Sequence, residues 1–114
     1  MVRFSTLEVD MQQPPQLTDE QRRAALVKAA EARRARAEVK ELLKTGSVTL
    51  AELFEMTETD EILAGLKVER VIAAMPGTGK IKAKRMMETL GIAENRRIRG
   101  LGHRQKEALL AEFS

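Results

Sequence analysis

The chain has 114 residues, a length suited to one small domain with a modest aliphatic core and no second one. It has no cysteine and a single histidine, His103, which excludes disulfides, thiolate metal sites and histidine clusters, and with them a zinc centre. Its net charge of +3 conceals a segregation along the chain. Residues 1–20 hold 1 basic and 4 acidic side chains (net −3), 21–46 hold 8 and 3 (+5), 47–66 hold 0 and 5 (−5), and 67–114 hold 11 and 5 (+6). Two basic regions flanking an acidic one concentrate a polyanion better than the same net charge spread evenly. The amino end carries no long apolar run suited to secretion or membrane spanning, so the expectation is a cytosolic protein with no membrane partner.

Residues 1–16 lack helical periodicity and end in Gln12-Gln13-Pro14-Pro15-Gln16, which reads as a flexible extension, with Met11 as an alternative start. Thr18 followed by Gln21 is a capping-box pattern, and it opens an alanine-, glutamate- and arginine-rich run that lasts to Gly46. One long basic helix over 17–46 is expected. At about 100° per residue, Arg22, Arg33, Arg36, Lys40 and Lys44 share a stripe roughly 80° wide. Ala24, Ala25, Ala32, Ala35, Val39, Leu42 and Leu43 form the adjacent apolar stripe, shallow until its carboxyl end, while Leu26 and Val27 break the pattern. The carboxyl half is expected to dock. Arg33, Arg34 and Arg36 suit either a solvated face or contact with a polyanion backbone.

The rest, 47–114, reads as one helical domain. Thr49 with Glu52 is a second capping box, opening a short helix through Leu53, Phe54 and Met56, which look like core. Asp60 starts another turn ending near Gly65. Glu52, Glu55, Glu58, Asp60 and Glu61 are most simply a solvated acidic face, with a carboxylate metal site as the weaker alternative. Alternation of period two is absent, so the fold class is all-α.

An apolar helical ending at Val71–Met75 then runs into Pro76-Gly77-Thr78-Gly79-Lys80-Ile81-Lys82-Ala83-Lys84. Gly77 and Gly79 allow backbone angles closed to other residues and leave room for a phosphate at the main chain. Amides at the start of the next helix, its positive dipole end and Lys80, Lys82 and Lys84 favour an anion there. The same string also serves a plain helix–helix turn with solvated lysines. It is no nucleotide-binding P-loop, because Gly-x-x-x-x-Gly-Lys-Ser/Thr is absent and Ile81 follows Lys80. Ile81, Met86, Met87 and Leu90 give an apolar face that stops at Gly91, and Ile92 plugs the core.

A basic loop over 93–105 follows, carrying Arg96, Arg97, Arg99 and Arg104 with Gly100 and Gly102 between them. Planar guanidinium forks clamp phosphates, and the glycines permit close approach. His103 at a helix start is most simply an exposed residue. The last helix buries Leu109, Leu110 and Phe113.

Four blocks in order, 17–22, 32–38, 75–83 and 96–102, resemble the actinobacterial integration host factor family over roughly 16–113. The resemblance implies a long amino-terminal helix packed on a small helical domain with a helix-two-turns-helix motif, related to one in formamidopyrimidine-type DNA glycosylases and in a ribosomal small-subunit protein. It implies a nucleoid-associated, non-enzymatic protein of the cytoplasm. Such a protein binds double-stranded DNA with little sequence preference, bends or compacts it, and supports phage site-specific integration. Implied partners are duplex DNA, phage integrase–DNA complexes and DNA topoisomerase; no cofactor or metal is implied, and a monomer is expected in solution. Carried over by position, Pro76, Gly77, Thr78, Gly79, Lys80 and Lys82 form a hairpin that grips phosphates, and Arg96, Arg97, Arg99, Gly100, Gly102 and Arg104 belong to a lid beside it. The segment before Leu17 has no counterpart, and neither does His103.

Separated cationic forks without a base-reading element predict recognition of phosphates and DNA shape. With no tryptophan or tyrosine, and Phe54 and Phe113 needed inside, no stacking platform for single strands is present. A structured-RNA module of ribosomal type and a helical protein-interaction domain remain open alternatives. A glycosylase is excluded, since no proline nucleophile follows Met1.

Overall fold

A computed structural model of the chain describes residues 17–113; the extension over 1–16 and the alternative start at Met11 lie outside the described residues. Among the described residues six α-helices run in order: α1 (Asp19–Lys44), α2 (Leu50–Thr57), α3 (Glu61–Ala64), α4 (Val68–Ala74), α5 (Gly79–Thr89) and α6 (His103–Glu112), with a 3-10 turn at Ile98–Gly100 before the last. The chain divides into two compact units, one up to Ala30 and the other from Glu31 onward.

Local chemistry explains where these helices start. The Thr18 N–H donates to Gln21 Oε1 and the Gln21 N–H to Thr18 Oγ1, each at 3.0 Å, so the reciprocal cap expected from the sequence opens α1. At its other end the Gly46 N–H reaches the Leu43 carbonyl at 3.1 Å, with Gly46 in the left-handed region at φ 79°. Thr49 and Glu52 form the same box before α2. The Asp60 carboxylate accepts from Ile62 and Leu63 N–H at the head of α3. Two members of the acidic cluster therefore satisfy helix-start amides, and Glu55, Glu58 and Glu61 are exposed.

In the first unit the helix exposes every described side chain from 17 to 29, Leu26 at 63% and Val27 at 56% among them. Alanine and arginine hold that stretch helical by propensity rather than burial. In the second unit α1 contributes Val39 and Leu43, one turn apart, to the core, as expected of its carboxyl half. Leu42 departs from expectation at 41% exposed, because it lies about 100° round the helix from Leu43.

The core of the second unit gathers Leu53 from α2, Ile72 from α4, Ile98 from the basic loop and Leu109 from α6, all essentially sealed from solvent. Each such side chain contributes about 1.5–3 kcal/mol by burial. Phe54 is buried, with the Lys106 ammonium 5.7 Å from its ring centre. Two further expected core residues, beside Leu42, fall outside it. Met56 is 38% exposed and Ile81 72%; Ala83 and Met87, one turn apart, form the buried face of α5, and Ile81 points away from that face.

The Thr49 backbone N–H, and after it the Thr49 side chain, hold the Glu52 carboxyl below the usual carboxylate range. A carboxyl whose pKa falls on folding stabilises the fold above its unfolded value, and that contribution disappears as pH drops through the lowered folded value. Glu52→Gln should therefore melt below the unsubstituted chain at neutral pH, with the gap closing in acid, as followed by helical circular dichroism across pH. Thr49→Ala should cost about 1 kcal/mol, lowering Tm by roughly 4–8 °C in calorimetry.

Candidate nucleic-acid interface

The turn between α4 and α5 begins at buried Met75, whose extended backbone (φ −64°, ψ 145°) is the conformation favoured before a proline. The Thr78 N–H closes the turn on the Met75 carbonyl at 3.1 Å. Gly77 and Gly79 both sit in the left-handed region, at φ 73° and 74°. Among the described residues nothing lies within 4 Å of where a Cβ would stand on either, so conformation demands glycine there and those residues leave the space above the main chain open. Thr78 supplies no side-chain cap to α5. The first-turn amides from Gly79 to Ile81 thus lack the partner that Thr18, Thr49 or Asp60 gives elsewhere, and they carry the positive helix end. Lys80 and Lys82 are exposed on this turn, the Lys82 Nζ lying 3.5 Å from the Gly77 carbonyl.

The basic loop is held more tightly than the expectation of a lid requires. Lys67 and Arg97 form an isolated antiparallel bridge, in which Val68 N–H donates to Arg96 O and Ile98 N–H to Leu66 O, each at 2.9 Å. The 3-10 turn follows at once, and the Arg96 Nη1 closes it on the Gly100 carbonyl at 2.7 Å. Gln105 ties the loop's far end, its Oε1 accepting from Gly102 N–H at 3.0 Å and its Nε2 donating to Gly91 O at 3.4 Å. His103 is exposed and lies 2.7 Å from the Glu107 carboxylate, one turn along α6.

Three arginines converge on Gly65. Arg97 Nη1 donates to the Gly65 carbonyl and Arg36 Nε to the neighbouring Ile62 carbonyl at 3.0 Å. A Cβ on Gly65 would stand 2.6 Å from Arg36 Nη2 and 2.7 Å from Arg99 Nη2. The Arg36 and Arg97 guanidiniums are therefore positioned by backbone carbonyls and keep further N–H donors for a ligand. Around them lies a concavity of about 400 Å³ lined by Arg33, Arg36, Lys40, Lys67, Arg70 and Arg97 over the backbone of Gly65 and Leu66. A wider groove of about 1260 Å³ shares Lys40, Lys67 and Arg70 and extends to Lys44, Lys80 and Lys84.

Of the residues expected to bind, the structure brings Arg33, Arg36 and Arg97 into one concavity, sets Arg99 at the same glycine, and places Lys80 along the adjoining groove. Arg34 and Arg104 are exposed and line neither. Lys67 and Arg70 were missing from the expected set. Their i, i+3 spacing at the head of α4 puts them on one face, but only the bridge to Arg97 sets that face beside the basic loop, and no local pattern encodes that pairing.

A family model described as "S13-like H2TH domain" matches residues 43–113. Integration host factor of Mycolicibacterium smegmatis is 56% identical over 99 residues, which span 87% of this chain and 94% of that protein. The chain belongs to the integration host factor family. The Mycobacterium tuberculosis integration host factor is 54% identical over 87% of this chain and 94% of its own length, and the Streptomyces coelicolor one 48% over 87% and 92%. Among solved structures, that of sIHF bound to an 8 bp palindromic DNA matches with a TM-score of 0.74 at 45% identity, covering 76% of this chain and 98% of that one. The expected all-helical fold with a helix-two-turns-helix module is thus the family's own.

Within this member of the integration host factor family, Gly77→Ala or Gly79→Ala should each cost about 1–2 kcal/mol through backbone strain alone, and asparagine at either position less. Thermal melts of the four variants check this ordering; equal melts for alanine and glycine would contradict the left-handed assignment.

Proposed function

We propose that this chain binds double-stranded DNA through its phosphates, with little sequence preference. The open, left-handed Pro76–Gly79 turn at the uncapped start of α5 carries the reading, because it offers amides and lysines to an anion with no side chain in the way. The arginines about Gly65, with Lys40, Lys67 and Arg70, provide further cations along a groove that reaches Lys80 and Lys84. The DNA-bound relative supports duplex DNA as the partner. Pro76, Gly77, Thr78, Gly79, Lys80 and Lys82 grip one run of phosphates. Arg33, Arg34, Arg36, Arg96, Arg97, Arg99 and Arg104, with Gly100 and Gly102 giving access, hold the neighbouring ones.

Phosphate contacts position a duplex and carry no sequence information, so the expected role is architectural: bending and compacting DNA in the nucleoid as a binding protein rather than an enzyme. The relatives' name supports a part in phage site-specific integration. Integrase–DNA complexes and DNA topoisomerase as partners, and a monomer as the free species, belong to the same proposal. The S13-like character of the matched domain favours one second reading, a structured RNA held by the same hairpin.

Fluorescence anisotropy with a random-sequence duplex across a salt series, with double-stranded RNA and ribosomal RNA fragments as competitors, separates the two. The DNA reading expects a steep loss of affinity with salt, close to one logarithmic unit of slope per phosphate contact, and near-equal affinity for unrelated duplexes. Preference for RNA overturns it. In the same assay Arg99→Ala should reduce the slope by about one and weaken all duplexes alike. Gly79→Asp should lose binding while Gly79→Asn, equally tolerant of the left-handed backbone but uncharged, keeps most of it. Undiminished binding by folded Gly79→Asp would place the DNA elsewhere.

A further inference from the structure

The concavity over Gly65 has a property that a face tracking a duplex does not require: among the described residues, six cationic side chains ring it and no carboxylate lines it. Among the described residues the one ion pair within 4.0 Å is His103 with Glu107, so Arg33, Arg36, Lys40, Lys67, Arg70 and Arg97 have no internal carboxylate partner at that range. Like charges crowded around a small recess repel one another, and a compact multivalent anion relieves that repulsion at every pair. Two of the guanidiniums are already fixed, Arg97 on the Gly65 carbonyl and Arg36 on the Ile62 carbonyl, which lowers the ordering cost of binding. At about 400 Å³ the recess lies within the range of small-molecule sites and is far too small to admit a double helix.

We propose that this recess is a binding site for a compact oligophosphate, a chain of three or more phosphates, either inorganic or the tail of a nucleotide. Bidentate guanidiniums and point-charge lysines together match the alternating terminal and bridging oxygens of such a chain. The adjoining groove leaves room for a nucleoside, with Ala37, Ala73 and Ala74 as an apolar wall and Glu41, Glu69 and Asn95 as hydrogen-bonding groups. Arg33, Arg36 and Arg97 also belong to the proposed DNA surface, so an oligophosphate seated here competes with DNA. That regulatory consequence rests on the DNA reading; the binding itself does not.

The test is isothermal titration of the full chain, without DNA, with inorganic triphosphate and separately with GTP, alongside thermal melts in each ligand. One equivalent should bind and raise Tm, as any ligand selective for the folded state does. Arg33→Gln/Arg70→Gln, both at exposed positions, should weaken binding by about tenfold or more, through loss of two charge-assisted contacts. Gly65→Ala, whose methyl group meets the Arg36 and Arg99 guanidinium ends without backbone strain, should weaken it as well. Arg23→Gln/Lys28→Gln, the same charge change in the first unit, should bind like the unsubstituted chain. Equal affinity for both ligands assigns the site to the phosphate chain alone, and a stronger response to GTP that Glu41→Gln reduces assigns it to a nucleotide. Non-saturating binding, or equal weakening by both charge-removing pairs, would reduce the effect to general counterion association and overturn the proposal. Failure of this titration would leave the duplex salt series unaffected.

Discussion

Two backbone hydrogen bonds, Val68 N–H to Arg96 O and Ile98 N–H to Leu66 O, hold the cationic face together. They join segments far apart in the chain, and the side chains of Leu66, Val68 and Ile98 beside them are buried. Backbone polar groups in that setting must be paired, since a buried orphan costs about 1–3 kcal/mol. Sealing the loop's apolar anchor into the core thus forces the pairing, and the pairing in turn sets Arg97 over Gly65 and beside Lys67 and Arg70. Charge that would otherwise belong to a mobile loop becomes part of a fixed surface, at the cost of mutual repulsion that hydrophobic burial offsets.

The hairpin solves a different problem. At α1, α2 and α3 the chain satisfies helix-start amides with its own side chains, by Thr18, Thr49 and Asp60. At α5, as at α4 and α6, the residue before the helix gives no such side-chain bond, and at α5 two left-handed glycines also keep the approach clear. A helix start left open in this way is less stable locally and better suited to an external anion. Rigid arginines and an open turn together give the proposed duplex-binding surface two means of holding phosphate, one through side chains and one through the main chain.

Much of the fold is legible in sequence because its signals are local. Thr18–Gln21, Thr49–Glu52 and Asp60 announce helix starts through contacts three residues long, and Gly46 and Gly91 announce endings through a conformation that glycine adopts at little cost. The Pro76–Gly79 turn is legible for the same reason. Periodicity reads less well where a helix face is narrow: Leu42, Met56 and Ile81 looked like core by type, yet burial follows angle, and Leu43, Phe54 and Ala83 occupy the inward positions. The gathering of Arg33, Arg36, Lys67, Arg70 and Arg97 around Gly65 is not legible at all. It arises from contacts between α1, the α3–α4 junction and the basic loop, and Gly65 gives no hint in sequence that its missing side chain makes space for two guanidiniums.

The central claim is that the hairpin and the fixed basic loop act as one phosphate-binding surface. Amide chemical-shift mapping of the labelled chain, titrated with a short random-sequence duplex, addresses it directly. The account predicts that the amides of Gly77 to Lys82 and of Arg96 to Gly100 shift together along one saturating curve, while those of the acidic stretch from Glu52 to Glu61 stay in place. Shifts confined to one of the two segments, or following separate curves, would contradict a single surface.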